Sequence, residues 1–409
     1  MSLMSLENEE INNVVPDHSC NKIYLLLLRF YFIFFPMYPL LSKFVGTSLW
    51  KDALYIFFCF IGFNVFIKNK FLIWYFLGLF LTILFQVVQG YDYFEYLTWF
   101  LMGPPLYLYF RYISAESFKT DLFILMGIML AGFIFVFFYE IPARDSMFFE
   151  IDGEKGSSGF FLRGDDVRAR FSFVSPMAFS QYSWFIALTI LFNKNISKMI
   201  RIIFTVLMLI SIFYCNTRAG VFLTIITVGV YFYTKFNLHK IKIYNFLVVV
   251  AISVIVIFKN VISGQTANHD NETMSDGLRM ILLLDGIDKA KESFLLGVSG
   301  NFFSPRAEDW YDFENSWLSL IVCFGMVGIF LLILLFNKLI FTTNNKYLMF
   351  YIIPWMAYSS IFPVLQEPTA VFITWVIIVA VLNIDKWNEL NGNEPDENED
   401  EDHLITETV

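Results

Sequence analysis

The stretch "VISGQTANHDNETMSDGLRMILLLDGIDKAKESFLLGVSGNFFSPRAEDWYDFEN" (261–315) runs without a break into "SWLSLIVCFGMVGIFLLILLF" (316–336). The first part is a long polar loop. The second is an unbroken apolar run of membrane-crossing length. Most other polar links between apolar runs are short, so this one reads as a loop kept for a purpose.

Working outward, the same apolar pattern recurs. Of 409 residues, 57% are hydrophobic and 16% charged, whereas a water-soluble domain carries about 25% charged residues. The pattern predicts an all-α polytopic membrane protein of about twelve transmembrane helices. Among the expected spans are Ile23–Phe44, Phe94–Phe110, Leu122–Phe138, Tyr244–Phe258 and Ser316–Phe336. Residues 1–22 are read as an acidic cytoplasmic tail, 23–382 as a single polytopic domain, and 383–409 as a disordered acidic cytoplasmic tail. The acidic start lacks the basic region of a cleavable signal, so the first span is expected to stay as an anchor.

Short links set the orientation. One set carries Lys68, Lys70, Arg111, Lys119, Lys194, Lys198, Arg201, Lys235, Lys240, Lys242, Lys338 and Lys346. The alternate short links carry Lys43, Lys51 and Arg218. The basic bias places both termini in the cytoplasm and two long loops, about 139–177 and 259–315, outside. The first outer loop is rich in glycine, which argues for turns rather than a long helix. The second is expected to hold an amphipathic helix over 275–294, capped by Ser275 or Asp276 and lying along the membrane plane. "LLGVSGN" (295–301) then reads as a glycine turn.

The outer loops gather arginine. Arg163, Arg170, Arg218 and Arg279 present planar forks that match phosphate oxygens at any working pH. Pairing with loop acids such as Asp165 and Asp166 is the plainer reading of each. "NTRAGVFLTI" puts Arg218 beside an Ala-Gly pair, which fits snorkelling with tight helix packing or a phosphate contact. Trp310, Tyr311 and Asn315 stand where a sugar could stack or bond, and the aromatics also suit an interfacial belt. Arg29 falls inside a span and must snorkel or face the interior. The four cysteines fit no metal or disulfide pattern, and a lone His269 makes no zinc site. No metal and no cofactor is expected. Nor is nucleic acid, for lack of a basic stripe clear of the spans.

Four stretches together resemble the O-antigen polymerase and O-antigen ligase superfamily of bacterial inner membranes. They are "RFSFVSPMAFSQY" (170–182), "NTRAGVFLTI" (216–225), "GIDKAKESFLLGVSGNFF" (286–303) and "ENSWLSLIVCFGMVGIFLLI" (314–333). The resemblance implies a glycosyltransferase that polymerises undecaprenyl-diphosphate-linked oligosaccharide repeat units into O-antigen or capsule. It works at the outer face of the inner membrane, within the bilayer, alongside a flippase and a chain-length regulator. The alternatives are a ligase acting on lipid A core and a lipid-linked oligosaccharide flippase. Ligases of the superfamily commonly place a His where this chain has Glu314. That favours a polymerase and makes Glu314 the expected base, with Arg163, Arg170, Arg218 and Arg279 on the diphosphate.

Overall fold

A computed structural model describes residues 20–38, 50, 53–54, 56–58, 68–88, 102–136, 138, 149–151, 154–156, 160–163, 166–171, 173, 175–215, 217–265, 271–292, 294–297, 315–360, 362, 364 and 367–393. The architecture is predominantly helical. In order come α1 (Cys20–Phe34, extended by a 3-10 turn Phe35–Met37), α2 (Lys70–Val88), α3 (Gly103–Tyr112) and α4 (Ala115–Phe135). A small sheet follows, then α5 (Pro176–Phe192), α6 (Lys198–Tyr214), α7 (Arg218–Lys235), α8 (Lys242–Gln265) and α9 (Asn271–Glu292). The chain continues through α10 (Ser316–Phe336), α11 (Lys346–Tyr358), α12 (Pro368–Leu382) and α13 (Ile384–Asn391).

Among the described residues, α4 and the run Ser316–Phe341 are long and apolar enough to cross a bilayer. The pair α12–α13, bent by 103°, passes the same test as one broken span. Lys70–Leu84, Pro176–Phe192 and Lys242–Phe258 are shorter apolar helices. The chain is therefore a helical membrane protein. Several expected boundaries shift. Pro36 ends the first helix in a 3-10 turn well before Phe44. The helix in the second long loop starts at Asn271, so Ser275 and Asp276 lie within it rather than ahead of it.

Two expectations are corrected outright. The first long loop departs from an all-α fold: β1 (Phe149–Ile151), β2 (Glu154–Gly156), β3 (Phe160–Arg163) and β4 (Asp166–Ala169) form an antiparallel meander in that order. The register sets Ile151 opposite Glu154 and Arg163 opposite Asp166. Each pairing leaves a Gly-containing dipeptide, Asp152-Gly153 or Gly164-Asp165, between strands, and such dipeptides favour two-residue hairpins. The tail expected to be disordered from 383 begins with α13 instead. Trp387 and Leu390, three apart, share one face and are buried, at 3% and 0% exposure.

The core sits among α5, α11 and α12, whose residues are buried almost throughout. Within lipid, helices associate through packing and hydrogen bonds rather than by escaping water. Trp184 and Trp355 stack at 5.9 Å and 8°. Each indole N–H needs an acceptor in such a place. Trp184 donates to Thr227 at 2.9 Å and Trp355 to Thr374 at 2.9 Å.

The bundle has two ends. At one, α13 lies across the helix ends: the Lys194 N–H donates to the Asn391 carbonyl at 2.7 Å, and Asn345 donates to Asn388 at 3.0 Å. At this end the Arg29 guanidinium turns inward, 2.6 Å from Asp121, and Tyr109 donates to the other Asp121 oxygen at 2.8 Å. The opposite end carries the starts of α5, α7, α10 and α12, and the candidate site is built there.

Candidate functional site at the Arg218 end

The start of α5 is fixed by its sequence. Ser175 caps it, accepting from the Ala178 N–H at 3.1 Å, and Pro176 supplies a fixed φ in the first turn. Arg170 lies just ahead, after β4, half-buried, and its carbonyl accepts from the Phe173 N–H at 3.1 Å. The strand β4 packs against α5 and α6. This brings the meander, with Arg163 at the end of β3, onto the same helices.

Arg218 is the first residue of α7 and is exposed. Its neighbour Thr217 donates to Ser180 of α5 at 2.9 Å, and Ser180 donates to the Met177 carbonyl at 2.9 Å. Gly220 completes the joint, since a Cβ there would stand 2.9 Å from the Ser180 Cβ. The Ala-Gly pair thus serves close helix packing, and that packing sets Arg218 beside the segment that carries Arg170.

Asn315 opens α10. It accepts from the Leu318 N–H at 2.9 Å and donates to the Ser360 carbonyl at 2.8 Å. Ser316 adds a backbone bond to the Ser359 carbonyl at 2.9 Å and a side-chain bond to the Phe362 carbonyl at 2.8 Å. The Asn315 amide, expected as a sugar contact, is therefore committed on both sides to backbone and acts as a fastening. Glu314, Trp310 and Tyr311 lie outside the described residues. Arg279 falls within α9.

The second long loop is tied to α10 at depth. Gly297 (φ +77) and Gly325 (φ +55) meet each other: a Cβ on Gly325 would stand 2.5 Å from the Gly297 nitrogen. The left-handed backbone at Gly325 breaks α10, and the Met326 N–H is taken by the Leu295 carbonyl at 3.2 Å. At 1.5 Å per residue the break lies about 13 Å below Ser316. Irregular backbone at such depth is tolerated where protein covers it, and broken helices of this kind border substrate sites in membrane proteins. Of the expected glycine turn, residues 295–297 form a turn that meets the break in α10, while 298–301 lie outside the described residues.

One group at this end went unread in the sequence. Glu367 caps α12, accepting from the Ala370 N–H at 2.7 Å through one carboxylate oxygen. Its other oxygen is sealed from solvent and, among the described residues, has no partner in full hydrogen-bond geometry, although Thr369 approaches the carboxylate. Burial pushes its pKa up to about 7, against partial relief from the Ala370 and Thr369 hydrogen bonds. A lone carboxylate between two apolar spans, in "VLQEPTA", was the available signal.

The described residues form a helical membrane bundle, with Arg218 at a helix start of one end and the 294–297 turn held against the break in α10. Residues 203–333 match the family described as O-antigen ligase, which places the chain in the O-antigen polymerase and ligase superfamily. The match runs from α6 into α10 and takes in Arg218, Arg279, Gly297, Asn315 and Gly325, while the stretch 170–182 lies ahead of it. No curated protein and no solved structure matches the chain.

Proposed function

We propose that this protein polymerises undecaprenyl-diphosphate-linked oligosaccharide repeat units at the outer face of the bacterial inner membrane, with both termini in the cytoplasm. The observation that carries the reading is the joint between Ser180 and Thr217, which sets Arg218 next to the segment bearing Arg170. In the reaction the growing glycan leaves undecaprenyl diphosphate for a hydroxyl of a second lipid-linked unit. Negative charge develops on the departing diphosphate. Fixed guanidinium groups stabilise it without a metal, and Arg170 and Arg218 are the contacts, with Arg163, at the end of β3, and Arg279, within α9, as further candidates. A carboxylate near the reacting carbon takes the hydroxyl proton. Glu314, one residue ahead of the Asn315 fastening, is the candidate from sequence. Trp310 and Tyr311 offer stacking faces for a sugar ring.

The basic residues of the links at the opposite end support a cytoplasmic placement there. Reagents that do not cross membranes should label cysteines placed at Ser157 and Ser304 in a cysteine-free background. Failure to label either in intact spheroplasts contradicts the outer-face reading.

A second reading, transfer of finished glycan to lipid A core, is favoured by the description of the matched family. Deletion followed by a gel of the surface polysaccharide separates the two. A polymerase predicts loss of long chains with singly capped core remaining. Loss of every capped form indicates a ligase or a flippase.

A further inference from the structure

The Arg218 end holds several buried polar atoms without partners among the described residues, at the start of α12 and on α5. Glu367 has one empty oxygen, and on the first turns of α5 the Gln181 carbonyl oxygen, the Tyr182 hydroxyl and the Ser183 hydroxyl are likewise buried and unpartnered. Gln181 uses only its amide nitrogen, on the Tyr358 hydroxyl at 2.9 Å. The two helices pack together, and the Tyr182 ring lies 6.4 Å from that of Phe372 in the second turn of α12. Each such atom costs about 1–3 kcal/mol when dry, so a concentration of them needs a reason. Unpartnered atoms also occur at the opposite end, on Arg201, Asn391 and Asn393. Those are bases and amides. The acid lies at the Arg218 end.

We propose that Glu367 is the carboxylate that takes the proton of the acceptor hydroxyl. The inference rests on the transferase reading above and names its proton acceptor. Geometry suits the role. The Ala370 N–H holds one oxygen in place, which fixes the direction of the other. Helix starts at this end also carry the arginines, so base and diphosphate contacts share one face of the bundle. The step balances. The acceptor oxygen bonds to the anomeric carbon, the carbon–oxygen bond to diphosphate breaks, and the diphosphate leaves with the electron pair. The hydroxyl proton passes to Glu367, which returns it to water.

The surroundings suit a base working near neutral pH. A pKa of about 7 leaves much of the group ionised there while keeping it a better acceptor than an exposed carboxylate. The elements packed on α12 are α3, α5, α11, α13, the turn after α1 and the segment 337–341. The rings of Tyr31, on α1, and Tyr182, on α5, come to 6.5 Å and 6.4 Å from that of Phe372, in the second turn of α12. Arg168 and Arg170 precede α5. Arg111, Lys338, Lys346, Asp385, Lys386 and Glu389 belong to the opposite end.

The test uses membranes of a deletion strain, which hold the native unpolymerised lipid-linked unit, supplied with the full-length chain. The wild type should build a ladder at a rate that rises with pH through about 7. E367Q should lower that rate about 100-fold or more at equal abundance. E367D should restore part of it with a displaced pH profile. A full ladder from E367Q overturns the proposal and returns the role to Glu314. So does a ladder rate that is flat through neutral pH in both the wild type and E367D, a result that decides the matter even where E367Q is not produced. Failure of the wild type itself to build any ladder overturns the transferase reading, and this proposal with it.

Discussion

Two buried acids, one at each end of the bundle, are treated in opposite ways. Asp121 is fully shielded, with the Arg29 guanidinium on one oxygen and the Tyr109 hydroxyl on the other. Glu367 has a backbone N–H on one oxygen and, among the described residues, no partner in full hydrogen-bond geometry on the second. A charge in a membrane protein is stable only where it is paired or kept useful. Asp121 meets the first condition and joins α1, α3 and α4 into a fixed corner. Glu367 meets the second, at the end where the arginines stand. The difference teaches that burial alone does not mark a working group. The empty oxygen does.

The comparison breaks first at Arg29. Removing it leaves Asp121 buried and uncompensated, so Arg29→Ala should cost about 3–5 kcal/mol. The check is thermal unfolding in detergent, and the Arg29→Ala, Asp121→Ala pair should recover part of the loss. Glu367→Gln sharpens the contrast. The Gln oxygen still accepts from the Ala370 N–H, so below about pH 5, where Glu367 is protonated, stability should change by at most about 1 kcal/mol, while the ladder is lost. A large loss of stability from Glu367→Gln would make the two acids alike.

Gly325→Ala comes next. It forces a left-handed residue and a collision with the 294–297 turn, at about 1–3 kcal/mol, and should expose that turn to protease. Arg218→Lys keeps the charge and loses the fork. Activity should fall roughly tenfold, with Arg218→Glu lower still, in the same ladder assay. Normal chain lengths from the Lys variant would leave Arg218 as surface.

Stability against pH gives a further contrast. The folded pKa of Glu367 is raised to about 7 from the ordinary carboxylate value of 4.5. Its contribution is therefore fully present below about 4.5 and is lost as pH rises through about 7. The unfolding midpoint should decline over that window by an amount that disappears in E367Q.

Much of this was legible in the sequence. The apolar runs gave the helical membrane class, the Ala-Gly pair after Arg218 gave the close helix contact, and "LLGVSGN" gave a glycine turn. The partner of Arg29 was hidden because Asp121 is 92 residues away and only packing brings them together. The meander was hidden because its strands are three or four residues long, too short for alternation to register against glycine-rich surroundings. The depth of the 294–297 turn depended on its meeting with Gly325, which no local pattern encodes. Glu367 was passed over because an acid before Pro reads first as an ordinary helix cap, and only the unpartnered second oxygen sets it apart.

The most direct measurement of the central claim is reconstitution. The purified chain is placed in liposomes with undecaprenyl-diphosphate-linked repeat unit and, separately, with that unit plus lipid A core. The account predicts a ladder of products spaced by one repeat, with undecaprenyl diphosphate released, from the lipid-linked unit alone. No ladder from that unit, with a single transfer appearing only when lipid A core is supplied, would contradict it.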